Sequence, residues 1–266
     1  MTDAMDLFRL DGKVALVTGG ARGLGYFAAE GLVEAGADVA ICGRDISGKL
    51  DGAVQRLRGA GRDCIAIKCD VSREDDVRRM ASRMEEHFGR CDILVNNAGV
   101  GSMVPSDQMT TESWNTMLAT NLTGTFLCCR EIGKLMIAQK SGTIINLSSE
   151  NGQVGFSYGM AAYATTKIGI IGLTRSLAVE WGKHGIRVNA LLPGNMEEGM
   201  MEAMKDKQSP FYQFAGEPLL NLIPLHAFGN GDDVKGAIVF LASEASRYVS
   251  GAKIVMDGGF TINAGV

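Results

Sequence analysis

The sequence predicts an α/β fold: one doubly wound parallel sheet with helices on both faces. Three observations predict it. Short apolar, β-branched runs recur along the 266 residues, longer segments of helical periodicity separate them, and a glycine-rich turn follows the first run. The runs are 13–18 (KVALVT), 37–43 (ADVAICG), 63–69 (DCIAIKC), 91–97 (CDILVNN), 142–148 (GTIINLS), 186–192 (IRVNALL) and 252–258 (AKIVMDG). Continuous apolar runs mark strands buried on both faces, whereas alternating ones mark a half-exposed sheet. Residues 24–36 and 163–182 carry the clearest helical periodicity. Strand, helix and strand in repetition imply parallel strands joined by right-handed crossovers.

No linker rich in Ser, Pro or Gly divides the chain, and no repeat of solenoid period is present. Residues 1–266 are therefore read as a single domain. One stretch breaks the rhythm. Residues 194–230 hold three of the five prolines and no strand pattern. A long insertion of this kind in a compact domain reads as a lid over a substrate site.

Composition excludes several classes. The chain is 46 % hydrophobic and 21 % charged, with a net charge of −4. No basic surplus points to nucleic acid. No run approaches the roughly 18 to 20 apolar residues of a membrane span. The beginning, MTDAMDLFRLDG, carries acids and lacks the apolar stretch of a secretory signal, so a soluble, cytoplasmic protein is expected. The six cysteines (Cys42, Cys64, Cys69, Cys91, Cys128, Cys129) are scattered and read as small buried hydrophobes. With no C-x-x-C and with His87, His184 and His226 far apart, no metal site is expected.

The first strand runs into TGGARGLG, residues 18–25. Gly19, Gly23 and Gly25 let the backbone turn sharply and approach a phosphate closely. The helix that follows offers free N–H groups and its positive dipole end to an anion. The spacing is not that of a P-loop, and no Gly-Lys-Ser/Thr follows, which disfavours a nucleotide triphosphatase. A glycine turn after strand one of an alternating chain is the dinucleotide-binding position of a Rossmann-type fold.

The remaining motifs form an ordered set: CDV at 69–71, NNAG at 96–99, TNLTG around Asn121, INLSS at 145–149, YATTK at 163–167 and LLPG at 191–194. Together with TGGARGLG they resemble the short-chain dehydrogenase/reductase family over nearly the whole chain. Each motif alone is weak, and their order is specific. The resemblance implies hydride transfer between a nicotinamide dinucleotide and an alcohol or carbonyl. It implies a catalytic set of Asn121, Ser149, Tyr163 and Lys167. It also implies cofactor contacts from Gly19, Arg22, Gly23, Leu24, Gly25, Arg44, Asp70, Val71, Asn97, Ala98, Gly99, Tyr163, Lys167, Pro193, Gly194 and Met196.

Tyr163 and Lys167 stand four apart, which stacks them on one helix face. A phenol has an ordinary pKa of ~10, and bringing it to ~7 requires roughly 4 kcal/mol. A unit charge about 4 Å away supplies on the order of 4 kcal/mol at an effective dielectric of 20. Lys167 is thus expected to lower Tyr163 toward neutrality and, by the resemblance, to hold the nicotinamide ribose. Ser149 is the carbonyl-orienting hydroxyl by the same resemblance, with Ser148 as its rival, since the Ser149–Tyr163 separation is one residue longer than is common. Asn121 is expected to brace the active-site helix and a proton-relay water; its other reading is a polar helix residue bonding backbone. Tyr158, in the same loop as Glu150, has no lysine four residues on and is not the acid; Glu150, Asn151 and Gln153 either face substrate or satisfy their loop. Glu198 stands where the family often has a threonine. The Met-rich segment of Met196, Met200, Met201 and Met204 reads as an apolar lid or as an amphipathic helix covering core.

Gly43 ends strand two where relatives that prefer NAD carry an acid, and Arg44 follows. NADP(H) is therefore the expected cofactor, with NAD the lesser choice and Asp45 as a rival contact. The substrate is a small alcohol or carbonyl compound, with a lean toward polyols and sugar acids of the gluconate 5-dehydrogenase kind. The alternatives are a 3-oxoacyl thioester reductase and a non-catalytic dinucleotide sensor. By the resemblance, and from the apolar helix 168–181 and the weakly charged end DGGFTINAGV, the assembly is expected to be a homotetramer.

Overall fold

The computed structural model describes residues 3–44, 48–156, 159–198 and 216–263. Asp45, Tyr158, Met200, Met201 and Met204 lie outside them. All seven expected strands form: β1 Val14–Thr18, β2 Asp38–Gly43, β3 Cys64–Lys68, β4 Ile93–Asn96, β5 Gly142–Leu147, β6 Ile186–Pro193 and β7 Lys253–Met256. They make one sheet in the order β3-β2-β1-β4-β5-β6-β7, and every pair is parallel. β4 begins later than its apolar run because Asp92 is used otherwise. Its buried carboxylate accepts the Val14 N–H at 3.0 Å and pairs with Arg90.

The helices are α1 Gly23–Glu34, α2 Lys49–Arg58, α3 Glu74–Phe88, α4 Thr111–Met117, α5 Gly124–Gln139, α6 Ala161–Trp181, α7 Glu217–Asn221 and α8 Gly231–Ala242. The strand period of two splits the core into two layers. Ala15 and Val17 of β1 face a cluster with Leu32 of α1, Leu57 of α2 and Ile238 of α8. Val14 and Leu16 face the opposite cluster, with Met80 of α3, Ile132 of α5 and Trp181 of α6. Each fully buried Leu, Ile or Val contributes roughly 1.5–3 kcal/mol. That double burial is why the strands read as continuous apolar runs.

Successive strands run outward from β1 in one direction as far as β3, and the chain then returns to lay β4 on the other side of β1. A crevice opens at such a reversal, beyond the carboxyl ends of β1 and β4, and ligands of open α/β sheets bind there. The glycine turn and the residues after Asn96 lie at this point. All six cysteines are buried and free. Among the described residues no helix is long and apolar enough to cross a membrane, and no cluster of His, Cys, Asp and Glu could hold a metal.

Candidate active site

Two glycines of the turn need their backbone freedom. Gly19 and Gly23 have φ of +67° and +54°, where side chains are strained. Gly25 is required for a different reason: a Cβ there would lie 2.3 Å from Asn97 Nδ2 and 2.4 Å from the Gly19 carbonyl oxygen. Leu24 packs its side chain against the β1 core layer. The loop is pinned to the end of β4. Asn97 Nδ2 donates to the Thr18 and Gly19 carbonyls at 3.0 and 3.2 Å, and Thr18 Oγ1 accepts the N–H groups of Asn97 and Ala98, both at 3.0 Å. The sequence reading did not assign Thr18, although its place as the last residue of β1, directly before the glycines, marks it.

Arg22 caps α1 with extended backbone, and its side chain is exposed. Arg44 is exposed beyond the end of β2. Asp70 caps its own turn through Ser72 N and Oγ, at 3.0 and 2.7 Å. Val71 is buried against Gly124, where a Cβ would lie 2.9 Å from it. Gly99 approaches Asn121, whose Oδ1 would be 3.3 Å from a Cβ. A nicotinamide dinucleotide fits this set: a tight glycine cradle, a helix start for the pyrophosphate, and two guanidinium groups at its rim that no described side chain engages.

On the other side of the crevice, Ser148 and Ser149 directly follow β5, and α6 carries Tyr163 and Lys167 in its first two turns. The two serines part company. Ser148 Oγ donates to the Lys167 carbonyl at 2.8 Å, so its hydroxyl is committed to the α6 backbone. Ser149 accepts from the Asn151 N–H at 3.2 Å, and its side chain favours the ionised form of Tyr163. Lys167 Nζ donates to the Leu147 carbonyl at 2.8 Å and stands 5.3 Å from the Tyr163 ring centre.

The expected lowering of Tyr163 by Lys167 is not what the site does. Tyr163 is buried with Met117 and Met160, and Trp114 and Phe156 pack against them. Burial pushes the phenol up to about 12, outweighing the help from Ser149, and the charge of Glu150 adds to the rise. Burial alone pushes Lys167 down to about 8. Desolvation disfavours the charged form of both groups, and the charge-only reckoning from sequence left that cost out.

Asn121 lies in a π-helical turn, Leu118–Thr123, inserted between α4 and α5. Such turns recur at functional sites, and nothing in the local sequence signals this one. Its side chain accepts the Val100 N–H and donates to the Val100 carbonyl, both at 2.8 Å, and it reaches Thr166 Oγ1 of α6 at 3.2 Å. Asn121 thus bonds the backbone of Val100 and is tied to α6 through Thr166.

The loop after Ser149 divides its polar side chains. Gln153 Oε1 is taken by Lys253. Asn151 Nδ2 turns toward Ser149 Oγ at 3.4 Å. Glu150 is buried and accepts from Asn195. After β6, Pro193 is buried and Gly194 N donates to the Met256 carbonyl at 2.8 Å. Met196 packs into the core against Gly229, and Glu198 is partly buried. A recess of about 560 Å³ opens beside the first turn of α6, lined by Met103, Pro105, Phe156, Met160 and Ala164 among others.

Comparison with known proteins agrees with this architecture. Residues 19–261 match a family model described as enoyl-(acyl carrier protein) reductase. D-threitol dehydrogenase of Mycolicibacterium smegmatis is 38 % identical over 269 residues, spanning 98 % of this chain and 100 % of that one. A 3-oxoacyl-(acyl-carrier-protein) reductase of Staphylococcus aureus is 38 % identical over 247 residues, spanning 93 % of this chain and 97 % of its own. The crystal structure of a gluconate 5-dehydrogenase from Burkholderia cenocepacia, in complex with NADP and tartrate, superposes with a TM-score of 0.89 at 35 % identity, covering 98 % of this chain and 99 % of that one. The chain belongs to the short-chain dehydrogenase/reductase family. It is a dinucleotide-binding oxidoreductase acting on alcohol and ketone groups.

Proposed function

We propose that this enzyme moves hydride between NADP(H) and a secondary alcohol or ketone of the polyol and sugar-acid class, with Tyr163 as the acid and base. The observation that carries the reading is the meeting of Ser149, Tyr163 and Lys167 at the end of β5, across the crevice from the glycine turn. When bound, the nicotinamide supplies the hydride and, in its oxidised form, a positive charge. Ser149 orients the substrate oxygen and Tyr163 gives it a proton. Lys167 is held by Leu147 where it can reach a ribose, and Asn121 fixes α6 through Thr166. A phenol with its pKa at about 12 is fully protonated at neutral pH, which suits it to donate in the reductive direction.

Among the described residues the lining of the recess beside α6 carries no charged side chain, so within that class the neutral polyols and their ketones fit better than the acids. The second reading, a 3-oxoacyl thioester reductase, is favoured by the Staphylococcus aureus relative. The purified protein with NADPH, followed at 340 nm against polyol-derived ketones, sugar acids, cyclic ketones and acyl thioesters, separates these. Turnover confined to thioesters selects the second reading, and binding without turnover on any of them selects a dinucleotide sensor.

The serine assignment has its own test. Ser149→Ala is expected to lower kcat by about 10-fold or more, since a hydrogen bond to a developing charge contributes roughly 1.5–3 kcal/mol. Ser148→Ala, which frees one backbone carbonyl, is expected to act mainly on the melting temperature. The reverse ranking in kcat would transfer the role to Ser148.

A homotetramer is the proposed assembly. Ile168 and Val179 stand exposed on α6, Phe126 on α5, Val255 on the edge strand β7, and Tyr248 and Ile262 before and after it. Exposed apolar side chains on these elements suit subunit interfaces. A monomer mass by light scattering at micromolar concentration would refute it. Six buried, unpaired cysteines support a reducing compartment, the cytoplasm.

A further inference from the structure

Glu150 follows Ser149 directly, yet its side chain turns inward and is only 3 % exposed. Oε1 accepts from Asn195 Nδ2 at 3.0 Å. Oε2 is enclosed with no hydrogen-bond partner among the described residues, and it lies 2.8 Å from where a Cβ on Gly194 would stand. Asp257, just after β7, crowds the same point, with its own Cβ 2.6 Å away. One carboxyl therefore joins three segments: the serine loop after β5, the Pro193–Asn195 turn after β6, and the end of β7. Any side chain at position 194 would drive them apart.

We propose that Glu150 is a positioning residue of the reaction: its buried carboxyl holds the Pro193–Asn195 turn against the serine loop, and its charge state governs how readily Tyr163 exchanges its proton. This rests on the reading of Tyr163 as the acid and base.

The groups facing Glu150 can be named from each element around it. From beyond β7 comes Asp257, itself kept ionised by Thr261 and the Gly259 N–H, and its charge disfavours a second carboxylate. From beyond β6 comes neutral Asn195. From α6 comes Tyr163, which the Glu150 charge makes harder to ionise; Lys167 on the same helix is turned to Leu147. Burial first, and Asp257 second, push Glu150 up to about 8. Near neutral pH it is a neutral acid, and above pH 8 it becomes an anion one residue along the loop from Ser149, whose side chain bears on the phenol. Two groups coupled in this way titrate as a pair. Alcohol oxidation, which needs the phenolate, should rise with pH up to about 8 and then bend, because each Glu150 that ionises holds the proton on its Tyr163.

The test is the pH profile of kcat/KM for alcohol oxidation from pH 6 to 10, with Glu150→Gln as the variant. Glutamine keeps an acceptor for Asn195 and mimics the neutral acid. The bend near pH 8 should vanish, so that at pH 9 the variant exceeds the native enzyme by several-fold, up to about 10-fold, the span of one pKa unit. Glu150→Ala should raise the coenzyme KM, and Glu150→Gln should restore it. A melting series supplies a readout free of catalysis. A carboxyl raised from its unfolded value to about 8 binds a proton in the folded state alone between those values, so native stability falls with rising pH through that window. The melting temperature of Glu150→Gln should therefore gain on the native protein between pH 5 and 8 and not beyond. An unchanged bend in Glu150→Gln, with Tyr163→Phe inactive, overturns this inference alone. An active Tyr163→Phe overturns the acid–base reading itself.

Discussion

Tyr163→Phe is expected to lower kcat by about 10²- to 10⁴-fold, the range removed with a general acid–base group, and to leave coenzyme affinity near the native value. The ring would keep its place among Met117, Met160, Trp114 and Phe156, and Lys167 would keep its bond to Leu147. The substitution takes away one hydroxyl, the one whose ionised form the Ser149 side chain favours and that is proposed to follow the hydride with a proton. Direction matters as well. Reduction consumes a protonated phenol, which is present throughout the neutral range because burial holds its pKa at about 12. Oxidation requires the phenolate, so kcat/KM for alcohol should climb by up to about tenfold per unit between pH 6 and 8, while reduction stays level or falls. Steady-state kinetics in both directions measure this, with Tyr158→Phe as the control expected to spare the chemistry. A Tyr163→Phe enzyme that kept more than about half of its kcat would remove Tyr163 from the role.

The structure also shows why some of the site could be read from sequence and some could not. Five strands, β1, β2, β4, β5 and β6, were legible because burial on both faces leaves an apolar record in each, whereas the edge strand β7 is half exposed and was legible only from its residue types. Tyr163 and Lys167 were legible because helix geometry alone joins them. The choice between Ser148 and Ser149 was not, since it depends on which hydroxyl is claimed by the Lys167 carbonyl, a contact across 19 residues. The π turn that aims Asn121 at both Val100 and Thr166 leaves no mark in LATNLT. Glu150 meets Asn195 and Asp257 only after three strands have been laid side by side. The phenol's pKa depends on the same kind of distant contact. The attraction of a charge four residues away can be reckoned from sequence, but the cost of removing both groups from water depends on what packs around them, and Met117, Trp114 and Phe156 come from elsewhere in the chain.

The coenzyme preference should reverse when the end of β2 is rewritten. In this fold the residue closing the second strand meets the adenosine ribose, and an acid there binds a free 2′-hydroxyl and repels a 2′-phosphate. Gly43 holds that place, followed by exposed Arg44, and Arg22 is exposed at the start of α1. Neither arginine is engaged by another described side chain, and a guanidinium presents paired donors that match phosphate. One hydrogen bond to a charged group contributes roughly 1.5–3 kcal/mol, so NADPH should be preferred by about 10- to 150-fold in kcat/KM. Gly43 also accepts a side chain without strain. Its φ is not positive, and among the described residues the nearest atoms a Cβ would meet are those of Leu50, at an ordinary 3.7 Å. Gly43→Asp with Arg44→Leu should therefore fold normally and favour NADH, a swing of at least about 10²-fold, because one contact is lost and a repulsion is added. Arg22, left in place, should keep the reversal incomplete, and adding Arg22→Leu should complete it. Equal or better kcat/KM with NADH in the unmodified enzyme would show that Arg44 is merely a solvated residue at the strand end, and that the ribose is met by another group such as Asp45.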